Sequence, residues 1–188
     1  MTPYLSIADD FLDDFDAWRQ WLDVAPYETV TNPADGVDYP GICRAVPMRD
    51  EVEAKLEKLM GRPVSVRYMF MRLSLEGVPV PHQAHTDDTM GQYSLMVYLN
   101  RPEHCRGGTS ILRHVSGMET TPETPAELAA WQRDTNNPRQ WEYVTLCPMR
   151  SNRACVFQAK LFHRAEPLGG FGRDATDGRL VLTAFFDA

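Results

Sequence analysis

The chain has 188 residues, 43% hydrophobic and 24% charged, which suits one soluble globular domain with a sizeable core. Its formal net charge of -7 repels phosphate backbones and speaks against general nucleic-acid binding. No apolar run is long enough to span a bilayer, no basic n-region and apolar h-region open the chain, and the four cysteines form neither a CxxC pair nor a disulfide framework. The expectation is an intracellular, cytoplasmic protein with reduced thiols and no membrane partner.

In chain order, residues 9–24 place Phe11, Leu12, Phe15, Trp18, Trp21 and Leu22 at helical spacing, with Asp9 or Asp10 as the cap. Pro26 to Pro47 carries Pro, Gly, Asn and Asp and reads as irregular. A second helix is predicted over 49–60, closed by Gly61 and Pro63. From Val64 the period changes to that of strands: 64–75, 92–100, 107–115, 153–158 and 179–186. The polar stretch 117–140 reads as an insertion with a short helix at 125–133, of a length uncommon without a function. Two helices followed by many strands predict a mainly β, α+β architecture: an antiparallel sandwich or jelly roll with the N-terminal helices packed on one side. The division expected is 1–63 as helical support and 64–188 as the β core of a single domain.

The chemistry concentrates in two constellations. His85 and Asp87, in His85-Thr86-Asp87, are two apart; on a strand they point to one side and can converge on an ion. His163, in VFQAKLFHRAEP, is the best-placed third ligand. Two imidazoles and a carboxylate leave positions open and suit non-haem Fe(II), although zinc tolerates the same set. His82 lacks a carboxylate two residues on, Asp88 would point away from His85, and His104 and His114 sit in a polar turn and at a strand end. Sixteen residues after His163, Arg179 opens a strand on which Val181 and Thr183 share its face. A planar, permanently charged guanidinium there can take a buried carboxylate bidentately, with the Thr183 hydroxyl beside it. Arg173, in a Gly-rich loop, is the weaker rival.

The order HTD, VYLN, GG, a distal His and then RxxxT in an aromatic-ended strand resembles the Fe(II)/2-oxoglutarate dioxygenases, more narrowly their prolyl-hydroxylase-like branch. The resemblance covers about residues 64–187. It implies a double-stranded β-helix, Fe(II) held by His85, Asp87 and His163, and 2-oxoglutarate bound by Arg179, Thr183 and Tyr98, with O2 as the third reactant. Gly107-Gly108 matches the family's glycine pair, a structural role. The tyrosine that many members carry about ten residues before HxD is replaced here by Ser74 and Leu75, so the contact to the iron-side end of 2-oxoglutarate differs or comes from Tyr68 or Arg72. The implied reaction oxygenates a substrate with release of succinate and CO2. Hydroxylation is its commonest form, and the presence of Asp87 argues against halogenation. The substrate is a small molecule such as an amino acid, or a protein side chain such as proline. Loops 26–47, 86–92 and 117–140, with Asp88, Arg113 and Arg164, are the candidates for contacting it. A cupin-type metalloenzyme with more histidines, or a non-catalytic binding module retaining the fold, would have no need of the RxxxT strand.

Overall fold

The computed structural model describes residues 5–32 and 36–188. Two antiparallel sheets make up most of it. The larger is built from β1 (Ser6–Ala8), β2 (Glu28–Thr31), β3 (Asp38–Cys43), β4 (Ser65–Ser74), β5 (Tyr93–Tyr98), β8 (Ala154–Gln158) and β10 (Arg179–Asp187), in the order β1-β8-β5-β10-β4-β3-β2. The smaller contains β6 (Gly108–His114), β7 (Trp141–Pro148) and β9 (His163–Glu166), in the order β7-β6-β9.

Alternation along β10 decides which side each residue serves. Leu180, Leu182, Ala184 and Phe186 are buried with Met71, Leu95, Val97 and Val156 against two helices, α1 (Phe15–Leu22) and α2 (Arg49–Met60). Trp18 and Leu22 of α1 and Val52 and Leu56 of α2 complete this layer. On the other face, Val181 packs with Tyr98, Cys155 and Phe157 of the large sheet and with Ile111 and Cys147 of the small one, so the two sheets face each other across a second core. The helices therefore cover one face and leave the inter-sheet space for a site.

Several expectations change in detail. The first helix is shorter than 9–24. Asp14 caps it, accepting from the backbone N–H of Ala17. Asp9 is held by Arg150 and Arg153, Asp10 has a left-handed backbone, and Phe11 and Leu12 bond Asn152, so none of these four can join the helix. Pro26–Pro47 is not irregular throughout: β2 and β3 form a hairpin that extends the large sheet through Ile42 and Cys43 beside Arg72 and Met71 of β4. Residues 33–35, within that expected loop, and 1–4, within the expected support region, lie outside the described residues. Strands β1, β7 and β9 also join the predicted ones. α2 spans the expected 49–60 and ends on Gly61 in the left-handed conformation. The third helix, α3 (Pro125–Asp134), is set by a capping box in which Thr124 and Glu127 bond each other's backbone N–H.

Candidate metal centre

The His-Thr-Asp segment is not a strand, as the spacing argument assumed. His85 alone makes a ladder contact, an isolated bridge to His163 with N–H donated in both directions at 3.1 and 3.0 Å. Past it the chain turns. The Asp87 N–H donates to the Ala159 carbonyl at 2.8 Å, and the Asp87 carbonyl accepts from Met90 at 2.8 Å. Thr86 is tied sideways, its hydroxyl bonded to that of Thr121 at 3.2 Å. Backbone bonds to the β8–β9 connection thus bring the segment onto His163, which is why the three side chains still converge.

Their ligand atoms lie within 4.8 Å of one another, and among the described residues this is the one such cluster of His, Cys, Asp and Glu. His163 Nε2 is 3.1 Å from Asp87 Oδ2, and His85 Nε2 is 3.9 Å from Asp87 Oδ1. The imidazole rings are 4.4 Å apart at their centroids, and Phe157 packs on His163 at 4.7 Å. His163 Nδ1 bonds the Leu161 carbonyl at 3.0 Å. That bond needs the proton on Nδ1 and leaves the Nε2 lone pair facing Asp87 and His85. Nε2 itself is buried and accepts no hydrogen bond, because the Asp87 carboxylate oxygen 3.1 Å away has no proton to donate. A buried acceptor without a donor is costly. A cation placed between the three side chains would satisfy it. Confinement, then the neighbouring His163, pushes His85 down to about 4, so it is neutral and able to ligate at neutral pH. Burial would raise Asp87, but the adjoining imidazoles prevail and hold it below the usual carboxylate value.

The co-substrate candidates lie on the inner face of the large sheet. Arg179 is 5% exposed. One Nη donates to the Gly108 carbonyl at 3.3 Å, while its Nε is buried without a partner. Burial first of all, and a second guanidinium at Arg72, push it down to about 10. Tyr98 sits opposite Val181, two residues along β10 from Arg179. Its hydroxyl is engaged with Thr109 Oγ1 at 3.0 Å and the Cys147 carbonyl at 3.1 Å, linking the two sheets. Thr183 lies two pairs deeper, its hydroxyl against Met96 Sδ at 3.4 Å. Arg179, Tyr98 and Thr183 therefore share a face, as alternation requires, but their polar atoms bond different partners. Gly107 has φ +64°, and a Cβ there would sit 2.1 Å from the Glu166 carbonyl oxygen, so Gly107 lets the start of β6 approach the strand that carries His163, while Gly108 lets it approach Cys147 of β7.

The other candidates are placed elsewhere. His114 is buried with Asp134 at 3.2 Å, and His82 stands over Trp131. Arg173 is on an exposed turn with Asp177. Arg164 is taken by Glu166 and the Tyr143 hydroxyl, and Arg113 by Glu119. Asp88 borders a cavity of about 650 Å3, together with Gly91, Thr120 and Thr121, although none of the three clustered residues lines it. Phe157 was not singled out from sequence. Alternation in RACVFQ, which turns Cys155 and Phe157 inward, is the signal that marks it.

A family model described as a family of unknown function, DUF6445, matches residues 2–186. No curated protein is detectably similar in sequence. Among solved structures, the non-heme alpha ketoglutarate dependent carbocyclase SnoK from nogalamycin biosynthesis is 16% identical with a TM-score of 0.60, over 97% of this chain and 79% of that one. The epimerase SnoN, in complex with Fe3+, alpha ketoglutarate and nogalamycin RO, is 18% identical with a TM-score of 0.52, over 97% and 78%. EctD from S. alaskensis with bound Fe is 12% identical with a TM-score of 0.55, over 98% and 73%. At these identities the likeness is one of fold.

Proposed function

The chain belongs to DUF6445, a family of unknown function, and we propose that it is an Fe(II)- and 2-oxoglutarate-dependent oxygenase with His85, Asp87 and His163 as its metal ligands. The observation that carries this reading is the buried, partnerless Nε2 of His163, aimed at the carboxylate of Asp87 beside the neutral imidazole of His85. Two imidazoles and one carboxylate on one side of an ion are the donor set of non-haem Fe(II) sites that keep positions open for co-substrates. The buried, uncompensated guanidinium of Arg179 separates this from a bare metal site, because it fits the far carboxylate of 2-oxoglutarate. We take the two facing sheets as a double-stranded β-helix, in the prolyl-hydroxylase-like manner. The named chemistry of SnoK, SnoN and the 2OG-Fe(II) oxygenase from Burkholderia pseudomallei, of similar fold, supports the reading.

In this scheme iron, 2-oxoglutarate and O2 supply the oxidising power, with succinate and CO2 released. The chain's own residues bind and orient. His163 is fixed in one tautomer by Leu161, and Asp87 is held by its backbone bond to Ala159. Arg179 takes the far carboxylate. Thr183 and Tyr98 line the same face, and the Tyr98 phenol, raised by burial, stays protonated there. Phe157 and the inter-sheet core keep water from that space. The substrate would approach past Asp88, Thr120 and Thr121, where the turn after Asp87 and the 117–140 insertion border the cavity. A small molecule such as an amino acid, or a side chain such as proline, is the class we assign, with hydroxylation as the outcome. A reducing compartment such as the cytoplasm suits the four unpaired cysteines. Among the described residues, no helix is long and apolar enough to cross a membrane.

The test is anaerobic addition of Fe(II) and 2-oxoglutarate. The wild-type protein should develop the weak visible charge-transfer band of the chelate, and His163→Ala should not. Absence of the band in metal-loaded wild type, or its survival in the variant, would overturn the assignment.

A further inference from the structure

Arg72 of β4 points to the same inter-sheet face as Arg179. It pairs across the strand with Val181, which is two residues from Arg179 on the neighbouring β10. With strands ~4.8 Å apart and a rise of ~3.3 Å per residue, the two Cα atoms are about 8 Å apart. Arg72 Nε is buried without a hydrogen-bond partner, as is Arg179 Nε. The Arg72 guanidinium lies 5.5 Å from the centroid of the Tyr39 ring on β3, a contact that positions a cation without neutralising it. The carboxylates nearby are otherwise engaged: Asp87 faces the two imidazoles, and Glu166 is held by Arg164. Arg72 is also in electrostatic reach of both His85 and Asp87 on one side and Arg179 on the other. It therefore stands between the metal ligands and the far-carboxylate clamp.

Arg179 is buried and Arg72 is partly buried with its Nε shut away from water, and two guanidiniums on one face, neither ion-paired among the described residues, are costly unless a ligand supplies the charge. A five-carbon dicarboxylate with one end at the metal and the other at Arg179 carries two negative charges and passes Arg72. We propose that Arg72 binds the metal-proximal carboxylate of the 2-oxo acid, the role for which this chain has no tyrosine. This rests on the reading of the site as an Fe(II)/2-oxoglutarate centre. Tyr68, the other residue open to that role, is half-exposed and lies opposite Phe185, further along β4 from the Arg179 end.

The test uses the Fe(II)-loaded full chain under anaerobic conditions. The chelate band is titrated with 2-oxoglutarate and, separately, with pyruvate, which keeps the 2-oxo acid end and lacks the far carboxylate. Arg72→Met should weaken both ligands by a similar factor of about tenfold or more, with Arg72→Lys intermediate. Arg179→Met should weaken 2-oxoglutarate and leave pyruvate within about twofold. Fe(II) affinity and the unfolding midpoint of each variant show whether the metal site and fold persist; Arg72→Lys, which keeps the charge, is the second variant should the Met variant not fold. If Arg72→Met leaves both 2-oxo acids unchanged, the carboxylate it reads belongs to the substrate, and the assignment is overturned. Loss for 2-oxoglutarate alone would place Arg72 at the far end and overturn it equally. A wild-type protein that binds Fe(II) but gives no band with either acid defeats the oxygenase reading itself, an outcome distinct from these.

Discussion

Replacing Arg179 by Met should make the metal-free protein more stable while removing most of its affinity for 2-oxoglutarate. The side chain is 5% exposed, keeps one bond to the Gly108 carbonyl, and is pushed down to about 10, chiefly by burial. An arginine with a lowered folded-state value costs stability at every pH below that value, so the penalty is fully present throughout the working range and fades only above about pH 10. A lowering of that size corresponds to roughly 3 kcal/mol at 1.36 kcal/mol per pH unit. Loss of the Gly108 bond and imperfect packing of the shorter side chain offset part of it, leaving a net gain of ~1–3 kcal/mol. With a urea m-value of about 2 kcal/mol/M, the unfolding midpoint of the apo-protein should rise by about 0.5–1.5 M. A lost bidentate carboxylate pair should weaken 2-oxoglutarate binding on the order of 100-fold. Equilibrium urea unfolding after chelator treatment gives the first quantity, and anaerobic titration of the chelate band the second. A variant less stable than wild type, or one with unchanged 2-oxoglutarate affinity, would refute the idea that Arg179 is a preformed, unsatisfied anion clamp.

Removing a metal ligand should cost more than the roughly 10–100-fold typical of a residue that only orients one, so His163→Ala should lower Fe(II) affinity by over ~100-fold in a chelator competition. The apo-protein should lose stability as pH falls from 6.5 toward 4. His85 stays neutral in the folded chain down to about 4 whereas the unfolded chain takes up its proton near 6.5, and Asp87, held below 3.8, extends the loss to lower pH. Because His85 keeps 31% of its side-chain exposure, the effect should be on the order of 1–2 kcal/mol, read from thermal midpoints. His85→Gln should flatten that slope, and an unaltered slope would remove His85 as its cause. Gly107→Ala should destabilise by roughly 2–4 kcal/mol in urea unfolding and also weaken metal binding, because its Cβ would meet the Glu166 carbonyl at 2.1 Å, on the strand that starts at His163.

What the residues disclosed and what they hid follow from how local each signal is. β10 reads directly, since seven of its nine residues, Leu180 to Phe186, are β-branched, aliphatic or aromatic and alternate between two buried faces, and α2 reads directly from its apolar spacing and closing glycine. The β2–β3 hairpin does not. Asp38, Pro40 and Gly41 are poor strand formers, and that strand exists because Ile42 and Cys43 pair with β4. β9 is four residues long and rests on pairing with β6 and on the bridge to His85, contacts between distant parts of the chain. The metal cluster was identifiable although the reason given for its convergence was not: spacing in HTD suggested a strand, whereas the turn at Asp87 is fixed by the Ala159 carbonyl. Tyr98 shows the limit in the other direction. Its position on the inner face follows from alternation, but nothing local foretells that its hydroxyl bridges Thr109 and Cys147.

The arrangement also accounts for why the site sits where stability is given up. Helices α1 and α2 seal one face of the large sheet with mainly apolar contacts, the buried Arg19 of α1 being tied to the Leu99 carbonyl, so that layer can hold the fold without help from the other face. The space between the sheets takes Arg72 and Arg179 from the large sheet and the lone Nε2 of His163 from the small one, groups that an apolar core would exclude and whose buried nitrogens have no hydrogen-bond partner. They are tolerated because they lie on β4, β10 and β9, each anchored by a full ladder or by the reciprocal bridge at His85. A ligand that meets all three unsatisfied groups at once, a cation with a chelating dicarboxylate, recovers the lost interactions together. Binding of the two should therefore be cooperative: 2-oxoglutarate should tighten Fe(II) and Fe(II) should tighten 2-oxoglutarate by the same factor, as linkage requires. That reciprocity is measurable by titrating each component in the presence and absence of the other. Independent binding would mean that the arginines and the histidine cluster serve separate ligands.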